Sequence, residues 1–225
     1  MKKTAILLIT IAFLAISFLA GLFFGKQRGA PDAKAPTRVI YNTGNVYDAC
    51  PESVLESIVA VEVFDEDGES IANASGFIAF SDKRLVTCRH ALANMEYAIC
   101  TTEAGETFRI DTIVSADEKT DIAICLVPAE CTLPSMKLSD RTPEKGEGVT
   151  AIGSWYGMVN VVTRGNAAMI KDDYILFTAS VNPGASGGVL LNNEYEVCGV
   201  IRGTYSDGQS INVAVPIASV IDLAT

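Results

Sequence analysis

Histidine is almost missing from this chain: among 225 residues His90 is the only one. Any step that needs an imidazole must use it. The six cysteines include no C-x-x-C pair, so zinc coordination is short of ligands, and no metal or cofactor is expected. Basic residues are also scarce. Lysine and arginine number 17 against 27 acidic residues, a formal charge of −10, which argues against the basic face a nucleic-acid partner wants. No internal repeat or low-complexity segment stands out, so repeat architectures are set aside.

Charge is absent from one long stretch. From Thr4 to Gly25 no residue is ionisable, and that length suffices to cross a bilayer as a helix. A secretory signal peptide is the rival reading, but its apolar core is usually shorter and ends at an A-x-A-like site. No good site of that kind follows Leu19. Residues 1–25 are therefore expected to form an uncleaved transmembrane signal anchor, with the rest of the chain periplasmic or extracellular; cleavage would make it secreted. Residues 26–50 are polar, hold Pro31 and Pro36, and show no sustained period. They read as a tether.

Beyond the tether the chain is rich in short alternating apolar runs. Ser57 to Phe64 alternates and stops at Asp65-Glu66-Asp67-Gly68, a turn. Ile71 to Phe80, Leu85 to His90, Met95 to Thr101, Glu106 to Val114 and Asp121 to Val127 complete six strand candidates. Pro128 to Pro143 reads as a linker. Six more candidates run from Gly148 to Val215, with turns at Asp172-Asp173, Asn192-Asn193 and Asp207-Gly208. Pro216 to Leu223 reads as a closing helix. Many short strands at close spacing predict an all-β domain over 51–225. It divides into two six-stranded antiparallel barrels, 51–134 and 135–225.

The cysteines all lie after the apolar segment, which fits export to an oxidising compartment and up to three disulfides. Cys50 with Cys131 is the expected pair, tying the N-terminal arm to the linker. Cys88, Cys125 and Cys198 lie in strand-like runs and read equally as buried free thiols.

Three segments carry chemistry. In Asn182-Pro183-Gly184-Ala185-Ser186-Gly187-Gly188 a serine sits between glycines that let the backbone turn tightly and aim amide N–H groups at one spot. A developing oxyanion needs such donors, although the pentapeptide alone reads equally as a plain turn. A serine hydroxyl needs a base to take its proton, and His90 is the one imidazole on offer. A carboxylate is then needed to orient that ring. Asp121, opening the run Asp121-Ile122-Ala123, is preferred over Asp117 and Asp111.

These segments, in the order His, Asp, Ser, resemble the trypsin-fold serine proteases, and most closely the HtrA (Deg) branch, over roughly Val54 to Leu223 and without a PDZ domain. The matching residues are Thr87-Cys88-Arg89-His90, Thr120-Asp121-Ile122-Ala123 and Asn182 to Gly188. The resemblance implies Ser186 as nucleophile, His90 as general base and then acid, and Asp121 as its orienting carboxylate. It implies backbone amides of Gly184 and Ser186 as the oxyanion hole. It also places a peptide-binding strand edge at Ile201, Arg202, Gly203 and Thr204. Ser180 stands where basic-specific relatives have aspartate, so a small or apolar residue is expected on the acyl side of the scissile bond. Ala185 replaces the aspartate that pairs with a freed N-terminus in zymogens, and Arg202 is a departure from the pattern. The expected protein is a membrane-tethered serine endopeptidase acting on protein or peptide substrates in quality control or processing. The alternative is a barrel that binds without turnover.

Overall fold

The computed structural model describes residues 49–205 and 210–225. The expected membrane anchor, nearly all of the tether and the turn expected at Asp207-Gly208 lie outside the described residues. Among the described residues no helix is long and apolar enough to cross a membrane.

A first sheet holds β1 (Ile58–Phe64), β2 (Ser70–Ala79), β3 (Arg84–Cys88), β4 (Tyr97–Thr101), β5 (Thr107–Ile110), β6 (Ile113–Asp117) and β7 (Ile122–Leu126). Their order is β5-β4-β1-β2-β3-β7-β6, an antiparallel half-barrel. A second sheet closes on itself. It contains β8 (Gly148–Trp155), β9 (Met158–Ile170), β10 (Ile175–Phe177), β11 (Val189–Leu191), β12 (Val197–Thr204) and β13 (Asn212–Pro216), in the order β10-β13-β12-β11-β8-β9. A one-turn helix α1 (Glu52–Leu55) precedes the first sheet, and α2 (Ile217–Ala224) ends the chain. The fold is the mostly-β architecture expected, built as one closed barrel and one half-barrel. It differs in one strand: the run from Glu106 to Val114 breaks at Asp111-Thr112, where the Thr112 carbonyl accepts the Leu126 amide at 3.0 Å. Two strands form there instead of one, and they become edges β5 and β6.

Period-two alternation decides which core each residue joins. In β11, Leu190 points into the closed barrel with Ile175, Phe177 and Trp155. Its neighbours Val189 and Leu191 point the other way, into a core shared with Phe77, Ile78 and Leu85 of the first sheet. That strand is buried on both faces, which is why Val189-Leu190-Leu191 is continuous in apolar residues. The shared core also takes Ile152, Val197, Val200 and Val215, and it reaches Ile217 and Val220 of α2. The linker is docked rather than free: Met136 N–H donates to Ile78 at 2.8 Å, and Ser139 N–H to Val197 at 2.9 Å.

The disulfide expectation is corrected here. All six cysteines are unpaired, Cys50 and Cys131 included. Cys88, Cys100, Cys125 and Cys198 are buried in strands as small apolar groups. Cys88 Sγ donates to the Ile201 carbonyl at 3.3 Å and Cys198 Sγ to Leu190 at 3.2 Å. Cys50 and Cys131 are half-buried, and both pack against the shared core.

Candidate active site

Pairing of β3 with β7 sets Cys88 opposite Ile122, so the residues just beyond each strand end meet although they are far apart in the chain. His90 is not on the strand itself; it lies in a single 3-10 turn, Arg89–Leu92. Asp121 sits at the other strand's entrance with φ +62°, a left-handed conformation that aspartate tolerates better than most residues. The preceding turn is tied by Asp117, whose Oδ2 accepts from the Thr120 amide at 2.8 Å and hydroxyl at 2.6 Å. Asp117 is thereby used in the turn, and Asp111 is exposed beside Thr112 and Arg109. Neither competes for the imidazole.

Asp121 itself is held from three directions. Its carbonyl accepts Arg89 N–H at 2.8 Å, Oδ1 accepts His90 N–H at 2.9 Å, and Oδ2 lies 2.6 Å from His90 Nδ1. The carboxylate side chain is 9% exposed and the imidazole 50%, which leaves the ring's far edge toward solvent. Burial opposes the charge on Asp121. Hydrogen bonds from the His90 ring and amide, and the charges of His90 and Arg202, outweigh it and hold the carboxyl below its ordinary range.

The loop between β10 and β11 carries Ser186. Gly184 has φ +107°, and a Cβ there would lie 2.7 Å from the Ser154 carbonyl. At Gly187, φ is +87°, and a Cβ would come within 2.1 Å of the Ser75 carbonyl and 2.3 Å of Thr87 Oγ1. Close approach of two backbones, as well as turning, requires these glycines. The Gly184 and Ser186 amides have no acceptor among the described residues. Ala185, flanked by them, is buried in the closed barrel.

Arg202 joins the two halves of the site. The β12–β13 register skips it between Ile201 and Gly203, so it is the extra residue of a β-bulge, a device that re-aims a side chain. Its Nε lies 3.3 Å from Asp121 Oδ2, and its carbonyl accepts the Ser186 hydroxyl at 3.1 Å. In this structure the Ser186 hydroxyl therefore donates to Arg202 and makes no hydrogen bond to His90.

The other expected substrate contacts divide. Ile201 is fully buried, its N–H donates to Gly188 and its carbonyl accepts Gly187 N–H, each at 2.8 Å. It has no edge to offer. Arg202 and Thr204 are exposed and Gly203 is half-buried. Ser180 is exposed, with its carbonyl taken by Thr163 Oγ1 at 2.7 Å.

Among the described residues, Cys88, His90 and Asp121 form the one grouping of metal-capable side chains, their donor atoms within 4.8 Å of one another. The donor set fits a metal poorly. Burial, and then the Asp121 charge, push the Cys88 thiol up to about 12, so it stays protonated, and the Asp121 hydrogen bond already occupies His90 Nδ1.

Ser75 is the residue that reading the chain did not reach. It is fully buried in β2, its N–H donates to the Ser186 carbonyl at 2.8 Å, and its hydroxyl donates to the Gly184 carbonyl at 2.8 Å. Nothing in Ser75-Gly76-Phe77 signals this, because the partners lie on the other barrel.

Comparison with known proteins places the chain in a family. The trypsin-like peptidase domain matches residues 74–200, more than half of the chain. A DegP-like periplasmic serine endoprotease of Halomonas elongata is 34% identical over 162 residues, covering 67% of this chain and 34% of its own. The serine protease HTRA1 of Xenopus laevis is 31% identical over 209 residues, 84% of this chain and 44% of its own. The chain thus spans well under half the length of these curated relatives. A serine endoprotease structure from Yersinia pestis superposes with a TM-score of 0.69 at 24% identity, covering 79% of this chain and 66% of the other. An HtrA-type protease carrying a tripeptide gives 0.68 at 23%, covering 76% and 59%. Likeness at that identity speaks to the fold. The chain belongs to the trypsin-like peptidase domain family, with serine proteases of the HtrA type among its relatives.

Proposed function

We propose that this chain is a serine endopeptidase that cleaves protein or peptide substrates through an acyl-enzyme. His90 takes the Ser186 proton, Asp121 holds the ring and stabilises the imidazolium, and the Gly184 and Ser186 amides receive the oxyanion. The single observation that supports it best is the 2.6 Å bond between His90 Nδ1 and a nearly buried Asp121, beside a serine whose own amide, like that of Gly184 two residues before it, is unbonded among the described residues.

Turnover requires the Ser186 hydroxyl to leave the Arg202 carbonyl and turn to His90. A peptide lying along Arg202 to Thr204 brings backbone N–H groups of its own, and one of them can take that carbonyl. Positioned bases of this kind contribute about 10²–10⁴-fold. The boundaries 1–25, 26–50 and 51–225, the membrane tether, a periplasmic or extracellular domain and a part in protein quality control or processing belong to the same proposal. Periplasmic relatives and the uncharged Thr4 to Gly25 stretch support it.

One observation favours the rival, a peptide-binding barrel without turnover: the hydroxyl rests on Arg202 rather than on His90. A fluorophosphonate probe on the 225-residue chain separates the two. Labelling of Ser186 that is abolished in Ser186→Ala and lost in His90→Ala, together with cleavage of casein by the unaltered chain, is the expected result. Equal labelling of the His90→Ala variant would remove the mechanism.

A further inference from the structure

The peptide joining Gly184 to Ala185 lies between the two amides assigned to the oxyanion, and glycine puts little steric restraint on its rotation. Two hydrogen bonds hold it. Ala185 N–H donates to the Asn182 carbonyl at 3.0 Å, within the loop, and the Gly184 carbonyl accepts Ser75 Oγ at 2.8 Å, from the other barrel. The same Ser75 Oγ accepts Ser154 N–H at 2.7 Å, so the hydroxyl is fixed as a donor toward Gly184. The Ser75 amide meanwhile donates to the Ser186 carbonyl at 2.8 Å, and the Ser75 carbonyl accepts Thr87 Oγ1 at 2.7 Å. Every polar atom of a fully buried serine is used, and two of its bonds go to the carbonyls on either side of Ala185.

We propose that the Ser75 hydroxyl is a positioning residue for catalysis: by holding the Gly184 carbonyl it sets the peptide plane between the two oxyanion-binding amides and keeps both N–H groups convergent. The inference rests on the endopeptidase reading and deepens it. A buried hydroxyl that served only to join the barrels would be felt in stability alone. One that orients the amides is felt in the transition state, where the oxygen becomes negative, and hardly in the ground state.

Ser75→Ala in the 225-residue chain tests this, with Asn160→Gly as the matched variant. Asn160 also joins the barrels, donating from Nδ2 to the Leu55 carbonyl at 2.9 Å, and its φ of +55° accepts glycine. For Ser75→Ala, casein turnover per fluorophosphonate-titrated site and the fluorophosphonate labelling rate should each fall about 10–100-fold, with KM within about twofold. Ser75→Gly leaves room for a water between Ser154 N–H and the Gly184 carbonyl, and should recover part of the loss. Asn160→Gly should melt earlier yet keep turnover per titrated site. In isotope-labelled protein the Gly184 and Ser186 amide resonances should move or broaden in Ser75→Ala and stay put in Asn160→Gly. Wild-type labelling and unmoved amides in Ser75→Ala would overturn the positioning role. Failure of the unaltered chain to label would instead overturn the endopeptidase reading, and the amide resonances would still decide whether Ser75 orients the loop.

Discussion

Arg202 shows how one residue changes the balance at a site. Its guanidinium lies against the carboxylate that also binds His90, and its charge is one of the causes that keep Asp121 below the ordinary carboxyl range. A carboxyl depressed in the folded state stabilises the fold at pH above its unfolded value, near 3.8. That contribution is lost as pH falls through the folded value. Arg202→Gln removes one cation and keeps much of the side chain's bulk. The folded pKa of Asp121 then rises toward the unfolded one, the contribution shrinks, and acid unfolding followed by circular dichroism should begin at higher pH than in the unaltered chain. An unchanged acid midpoint would mean that the Arg202 contact is electrostatically idle. The half-exposure of the Arg202 side chain keeps the expected shift small, because solvent screens it.

Elements, rather than single side chains, decide the fate of the cysteines. β3, β4, β7 and β12 each enclose one thiol, and burial pushes Cys88, Cys125 and Cys198 up to about 12, with Cys100 raised as well. Thiolate is the reactive form, so these four should resist a disulfide reagent at pH 8 while the strands hold. Half-buried Cys50 and Cys131 should react first. Ellman's reagent is expected to count two fast thiols in the native protein and six after unfolding without reductant. Six fast thiols in the native protein would show that the strands open readily. The sign for stability is opposite to that of Asp121: a raised thiol stabilises below its unfolded value, near 9.0, and the contribution disappears as pH rises through the folded value.

At the scale of the molecule the two sheets share one core, and the site lies along their seam. Ile152, Val189, Leu191, Val197, Val200 and Val215 of the closed barrel, with Ile217 and Val220 of α2, are buried against the first sheet's apolar face. Each such side chain is worth about 1.5–3 kcal/mol when fully buried, and the first sheet would forfeit their cover if cut free. The fragment 51–134 is therefore expected to remain unfolded by itself, giving a narrow amide spectrum. A dispersed one would show that the first sheet has a core of its own. The linker supports the same view, since Arg141 makes a bidentate pair with Glu147 at 2.9 and 2.8 Å and so fastens it to the closed barrel.

Much of this molecule is legible along the chain. Alternation marked nearly every strand, because a half-buried strand repeats every second residue wherever it lies. His90, Asp121 and Ser186, with glycines near the serine, marked the proposed site, because a serine nucleophile needs a base and that base an orienting group. The break at Asp111-Thr112 was not visible, since it depends on Leu126 reaching the Thr112 carbonyl from a strand further along. Nor were the contacts of Arg202 and Ser75. A side chain's partner across a seam is set by how two sheets pack, and neither periodicity nor spacing records that distance. Local sequence determined which residues could do the chemistry; packing of one barrel on the other decided that the serine hydroxyl rests on Arg202 and that Ser75 holds its loop.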